Sequence, residues 1–408
     1  MRANYRGGTN GRHRPSLASH ARAAALFVGL AIAPIAPAQT GFYATDGIDL
    51  SAYPPGALIR VQAMDRAPEN ASAFRVLYAS RGLHDESVAV SGVVLLPNGP
   101  PPAAGRPIIA WAHPTSGIED RCAPSLAFVF LQSVQGLRGM LDRGYVVTAT
   151  DYPGLGTAGV HPYLIGDSEA RAVIDSVRAA HAIAGVGHEP RYTVWGHSQG
   201  GQAALFTAMQ TQRYAPELTL IGVAAAAPAT DLAALLADDW NTAGGRNITA
   251  MTLWSWSRLY DAPLSHVVAP AAIPVIDTLA SDCIERFFDV FERIGPTRAL
   301  ARTFLSDARF AQQEPWRTLL ANNSATTLPP AIPVFIAQGT DDGLVLPAVT
   351  SLYRQRLCAA GSKVHYLLMP GVSHGFAGRD AADAAVQWMA DRFEGREVPD
   401  DCATQAAP

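Results

Sequence analysis

The residues of this chain with the most chemistry to offer are one serine framed by glycines, one late histidine and a pair of aspartates between them. Ser198 lies in Gly196-His197-Ser198-Gln199-Gly200-Gly201. The apolar run Tyr192 to Trp195 precedes this segment, and a stretch patterned as a helix follows it. A serine at a tight strand-to-helix turn presents its hydroxyl as a nucleophile, and small neighbours let strand and helix come close there. The Gly-x-Ser-x-Gly pattern alone is a weak signal; the flanking strand and helix give it weight.

A serine nucleophile needs a base, and the base needs an acid to orient it, in the chain order serine, acid, histidine. Only His266, His365 and His374 follow Ser198. His266 falls within the stretch 231–326, which reads as an inserted cap, and His365 lies inside an apolar run, Val364 to Met369. His374 follows that run in Gly371-Val372-Ser373-His374-Gly375, a loop at a strand's carboxyl end, where open parallel sheets carry their active sites. His374 is therefore the expected base. The acid should follow the preceding strand, where the chain reads Gln338-Gly339-Thr340-Asp341-Asp342-Gly343-Leu344-Val345. Residue chemistry alone allows either Asp341 or Asp342. An oxyanion hole needs preorganised backbone N–H groups. Gln199 should supply one, and the loop His113-Pro114-Thr115-Ser116-Gly117 the other. Pro114 has no N–H, which leaves Thr115 as the candidate. His113 reads as a loop-shaping residue.

These residues need a scaffold. Ala57 to Met64, Phe74 to Ser80 and Val88 to Pro97 read as antiparallel strands. Short apolar runs follow at Ile108 to Ala112, Tyr145 to Thr150, Tyr192 to Trp195, Leu220 to Ala226, Pro333 to Ala337 and Val364 to Met369. Helical patterns lie between or after them at Ser125 to Arg143, Gly166 to Ile183, Ser198 to Thr211, Leu346 to Ala360 and His374 to Glu394. Strands buried on both faces and alternating with helices predict an α/β fold with a mostly parallel central sheet, its antiparallel strands at one edge. One stretch of about a hundred residues, 231–326, breaks the rhythm and is too long for an ordinary connection. Asp231 to Trp240, Arg246 to Leu259, Pro270 to Cys283, Arg286 to Arg293 and Thr297 to Arg302 read there as helices of an inserted cap. Residues 39–230 and 327–408 would then form the core. Trp254-Ser255-Trp256, with Leu259 and Tyr260, could wall an acyl site or simply fill the cap. Asp151, in Asp151-Tyr152-Pro153-Gly154-Leu155-Gly156, could line the pocket or shape its turn.

Taken together, His113 to Gly117 with Cys122-Ala123-Pro124-Ser125, Asp151 to Gly156, Trp195 to Gly201, and Gly339 to Val345 with His374 resemble the secretory lipase family of α/β-hydrolases, the type represented by Candida lipase A. The resemblance spans most of the chain after its first forty residues. It implies an α/β-hydrolase fold, ester hydrolysis without a cofactor, and a helical lid over the acyl site. It also selects between the aspartates: Gly339, Asp342 and Val345 fit the family spacing Gly-x-x-Asp-x-x-Val, which implies Asp342. Pro114 stands where the family loop often has glycine, in His-Gly-Thr. The same serine, acid and histidine serve peptidases and acyltransferases. A non-catalytic binding scaffold is a further alternative, against which the complete set argues.

Charge and the amino terminus bound the rest. A formal net charge of −4 offers no basic surface for nucleic acid. Arg2, Arg6, Arg12, Arg14 and Arg22 precede the apolar run Ala23 to Ile32, and Ala36-Pro37-Ala38 follows it, so residues 1–38 are expected to be a signal peptide of a secreted or periplasmic protein. The expected partner is an ester or lipid substrate, with transient contact to a lipid surface and no obligate protein. The four cysteines lack zinc-type spacing, so no metal is expected, and export favours two disulfides out of three possible pairings. Position selects one pairing. Cys122 follows the oxyanion loop and Cys283 lies in the cap above it, while Cys358 ends a helix and Cys402 lies in a tail that would otherwise fray.

Overall fold

The structure is a computed structural model that describes residues 41–239, 242–284, 294–307 and 309–403. The signal-peptide reading of 1–38 and the helix expected over Arg286 to Arg293 lie outside the described residues. Nine strands form one sheet in the order β1-β2-β3-β5-β4-β6-β7-β8-β9. These are Leu58–Ala63, Ala71–Arg81, Ser87–Pro97, Ile108–Ala112, Val146–Thr150, Arg191–His197, Thr219–Ala226, Val334–Gly339 and Val364–Met369, β1 to β9 in turn. Strands β1 to β3 pair antiparallel at one edge, and β3 meets β5 antiparallel. From β5 across to β9 every pairing is parallel.

The central strands are buried on both faces because helices cover both. Along β4, Ile109 and Trp111 join the core on one side, while Ile108, Ala110 and Ala112 join the core on the other. The two-residue period of a strand divides them in this way. Helices α3 (Gly166–His181) and α4 (Gln199–Tyr214) contribute to one core. Helices α2 (Leu137–Asp142) and α11 (His374–Phe393) contribute to the other. The single helix expected over Ser125 to Arg143 is instead broken into a 3-10 turn, Pro124–Leu126, and two short helices, α1 (Phe130–Ser133) and α2. Val134 is extended and Gly136 sits at φ 79°, in the left-handed region, so the backbone changes direction between them.

Between β7 and β8 the described residues add no strand to the sheet. They form α5 (Leu232–Asp239), α6 (Ala243–Leu259), α7 (Ile273–Ala280), α8 (Ile294–Arg302) and α9 (Trp316–Asn322). Thr242 caps α6 by accepting from the Gly245 amide at 3.0 Å. The apolar side chains of this segment run into the core beside α11: Leu253, Trp256, Ile276 and Trp316 pack in the same cluster as Trp111 and Trp195. The segment is also fastened to the loop after β4. Cys283 is bonded to Cys122, the Ile284 amide donates to Ser116 O at 2.7 Å, and Arg121 donates to Ser281 O. A second disulfide joins Cys358, in α10 (Pro347–Ala359), to Cys402 near the carboxyl end.

Candidate active site

Strand β6 ends at His197 and helix α4 begins at Gln199, so Ser198 alone makes the turn between them. It does so at φ 58° and ψ −117°, a left-handed backbone that costs a non-glycine residue energy and persists only where the surroundings impose it. The Ser198 amide donates to Ala226 O at 2.9 Å, and its carbonyl accepts from Gln202 at 3.1 Å. The glycines are required by clearance. A Cβ on Gly196 would stand 2.0 Å from Gly200 O, and one on Gly200 would stand 1.9 Å from Ala112 O.

The turn aims the serine at the loop after β9. Ser198 Oγ lies 2.8 Å from His374 Nε2, and His374 Nδ1 lies 2.8 Å from Asp342 Oδ2. A carboxylate at Nδ1 accepts that nitrogen's proton, so Nε2 is left bare to accept from the serine hydroxyl. Asp342 is held in turn. Its Oδ1 accepts from the amides of Leu344 at 2.9 Å and Val345 at 2.8 Å, and Gln338 Nε2 donates to Oδ2 at 3.2 Å. Burial works against its charge, but the neighbouring His374 and these hydrogen bonds outweigh it, and the carboxyl stays below its ordinary range. Asp341 differs: it is exposed, and its carboxylate accepts from the adjacent Thr340 hydroxyl at 3.1 Å.

His197, which the sequence reading left without a role, supports His374 from behind. Its Nε2 donates to the His374 carbonyl at 3.0 Å, and burial together with the nearby His374 pushes its own pKa down to about 3. A neutral ring is therefore available as a fixed donor. The only trace of it in the sequence is its place in Gly-x-Ser-x-Gly.

Ser198, Gln199 and Thr115 line one cleft with Tyr163, Leu164, Ala229, Leu232, Leu235, Leu236, Gly245, Ile248, Leu344 and Val345. Its empty space, part of it open to solvent, amounts to about 420 Å³. As the first residue of α4, Gln199 has an amide with no acceptor inside its helix. Thr115 is steadied through its side chain, whose Oγ1 is 2.8 Å from the Tyr163 hydroxyl. His113 is buried, with Nδ1 at 2.6 Å from Pro114 O and Nε2 at 3.2 Å from Asp151 O, and burial pushes its pKa down to about 4. It shapes the loop.

The apolar wall is not the tryptophan pair. Trp256 is buried and donates to Tyr163 O at 2.8 Å, while Trp254 donates to Asp277 Oδ1 at 3.0 Å beneath Arg258. The helical segment contributes Leu232, Leu235 and Leu236 from α5, and from α6 Ile248, nearly two turns before Trp254. Asp151 is likewise structural. Fully buried, it accepts from Ser91 Oγ at 2.7 Å and from the Ser125 amide at 2.8 Å, and burial raises its pKa to about 6 against those bonds. Among the described residues no group of three or more His, Cys, Asp and Glu side chains gathers as a metal site would require.

Comparison with known proteins follows the same lines. The model of the secretory lipase family matches residues 131–401. A probable inactive lipase of Mycobacterium tuberculosis is 23% identical over 90% of this chain and 85% of its own length. A secreted triacylglycerol lipase of Malassezia globosa is 24% identical over 85% of this chain and 78% of its own. Among solved structures, Candida antarctica lipase A matches with a TM-score of 0.77 at 17% identity, covering 90% of this chain and 88% of that one. A rice cell wall degrading esterase from Xanthomonas oryzae matches with a TM-score of 0.69 at 20% identity, over 84% of this chain and 98% of that one. At such identities these structures speak for the shared α/β-hydrolase fold.

Proposed function

The chain belongs to the secretory lipase family and is a carboxylic ester hydrolase, and from that premise we propose that it works through an acyl-enzyme on Ser198, as an exported protein. The observation that carries this reading is the unbroken relay from Ser198 Oγ to His374 to Asp342, each step 2.8 Å, opening into an apolar cleft. Ser198 Oγ attacks the ester carbonyl carbon while His374 Nε2 takes its proton. The carbonyl oxygen gains the negative charge and is met by the amides of Gln199 and Thr115. The C–O bond to the alcohol then breaks, and the alcohol leaves with the proton from His374. Water, deprotonated by the same imidazole, releases the acid and restores the serine.

In this reading 39–230 and 327–408 are the catalytic core, and 231–326 is a lid whose leucines hold the acyl chain. The narrow, mostly aliphatic cleft favours an ester over a polar peptide segment. Export is supported by the two disulfides, which persist in oxidising surroundings, and by the secretory relatives. A fluorophosphonate label and a series of p-nitrophenyl esters from acetate to palmitate test the whole. Labelling at Ser198 and ester turnover are expected, with Ser198→Ala losing both and its kcat falling about 10⁴-fold or more. Folded wild type that neither labels nor turns over any ester is a binding scaffold. Faster cleavage of aminoacyl anilides than of esters makes it a peptidase.

A further inference from the structure

Glu169 stands one turn into α3 and is completely buried. An acidic residue near a helix start ordinarily faces water, where it answers the helix dipole. This one turns inward. Its Oε1 accepts from Gln199 Nε2 at 2.7 Å and from the Leu164 amide at 3.0 Å. Its Oε2 is buried with no hydrogen-bond partner among the described residues, and the groups that influence it include no cation. An ionised carboxylate so placed costs several kcal/mol with only two neutral N–H groups on one oxygen to offset it, so stability alone gives little reason for a carboxyl here.

Both of its partners belong to the cleft. Gln199 is the residue after the nucleophile. Its side-chain amide also reaches His161 Nε2 at 3.3 Å; His161 donates from Nδ1 to Pro153 O at 2.8 Å, so its Nε2 is the bare nitrogen and accepts. Leu164 sits at φ 56°, an unfavourable backbone for leucine, and follows Tyr163, whose hydroxyl holds Thr115 Oγ1. One carboxyl oxygen thus ties Gln199 directly, and the support of Thr115 through one intervening residue.

We propose that Glu169 is a positioning residue for the oxyanion hole, fixing Gln199 and the Tyr163–Leu164 segment so that the two backbone donors stand ready, without touching substrate. The inference rests on the roles given above to Ser198, Gln199 and Thr115. Burial raises the Glu169 pKa to about 8, opposed by its bonds to Gln199 and Leu164. At neutral pH the group is a carboxylic acid: Oε1 accepts both N–H groups, and no negative charge stands beside the oxygen that becomes negative in the transition state. Three titratable groups face it. His161, pushed down to about 3 by burial, is neutral, and Tyr152 and Tyr163, raised by burial, keep their protons. Ionisation of Glu169 above about pH 8 introduces a charge that opposes the oxyanion, so kcat falls as pH rises through that value.

The test compares wild type, Glu169→Ala and Glu169→Gln on p-nitrophenyl butyrate across pH, with fluorophosphonate labelling rates and melting midpoints measured on the same samples. Glu169→Ala is expected to lower kcat by about 10- to 100-fold with KM nearly unchanged and labelling slowed in proportion, a fraction of the loss seen on removing an oxyanion donor outright. Glu169→Gln keeps the accepting oxygen and cannot ionise, so it should restore most of the kcat at pH 7 and abolish the alkaline fall. A Glu169→Ala enzyme with wild-type kcat overturns the inference. So does a Glu169→Gln enzyme that melts like wild type yet is as slow as the alanine variant, or that shares the wild-type alkaline limb. Wild type inactive toward both label and esters overturns the ester-hydrolase reading as well, a different result from an active wild type indifferent to Glu169.

Discussion

Asp341 and Asp342 are adjacent in sequence and opposite in surroundings. Asp342 is buried and takes two backbone amides, one glutamine N–H and the His374 ring. Asp341 is exposed on the outside of the same turn. Asp342→Asn should therefore misorient His374 and leave its cation unsupported, lowering kcat by roughly 10³- to 10⁴-fold. Asp341→Asn should cost about tenfold or less, through the turn alone. Steady-state kinetics of both variants, with circular dichroism to verify folding, distinguish them; a dead Asp341→Asn beside an active Asp342→Asn moves the acid by one residue. Ser198 and His374 were legible in the sequence because strand-end chemistry leaves few alternatives. The choice between the aspartates came from family spacing, since turn chemistry alone admits both. Glu169 and His197 were not legible. A glutamate near a helix start carries the same sequence signal whether it faces water or the core, and only the packing of α3 against α4 turns it inward.

At the scale of elements, short buried strands stood out as apolar runs, and β4 and β9 begin and end where those runs do. What the runs do not encode is lateral order: β5 lies between β3 and β4, a placement decided by crossover connections and not by any strand's own residues. The sequence leaves the cleft wall open for a related reason. Trp254 and Trp256 are the conspicuous side chains of α6, but helical geometry gives Ile248 a different neighbourhood, and it is Ile248 that meets the cleft with the leucines of α5. Chain-length preference should follow that geometry. Ile248→Trp, which adds bulk at a partly exposed position in the wall, should lower kcat/KM for an octanoate ester by about tenfold or more while acetate changes by about threefold or less. Trp254→Ala should leave the ratio of the two esters unchanged. Equal losses on both esters for Ile248→Trp place that residue in the packing of the helix and not in the acyl wall.

Across the whole molecule the two disulfides do different work, because they tie different things. Cys358–Cys402 pins the carboxyl-terminal tail to α10, with the Asp401 carboxylate also meeting His365 Nδ1 at 2.8 Å on β9. None of these four residues lines the cleft. Cys122–Cys283 instead joins the helical segment to the loop that carries Thr115, in parallel with the bond from Ile284 to Ser116 O. Sequence separations of 44 and 161 residues correspond to about 4 and about 5 kcal/mol of lost chain entropy in the unfolded state. On stability the two should differ little. On catalysis they should differ clearly, because only Cys122–Cys283 is attached to the loop that lines the cleft with Ser198. The double variant Cys358→Ala/Cys402→Ala is expected to melt earlier and keep its kcat on a short ester. The double variant Cys122→Ala/Cys283→Ala is expected to melt earlier and also to lose about tenfold in kcat when assayed well below its midpoint, since a loosened loop no longer presents Thr115 in register with Gln199. Thermal melts and short-ester kinetics of both variants at one temperature decide it. If the Cys122–Cys283 variant keeps full kcat at that temperature, the tether serves folding alone, and the hydrogen bonds of Ser116 and Tyr163 suffice to hold the oxyanion loop.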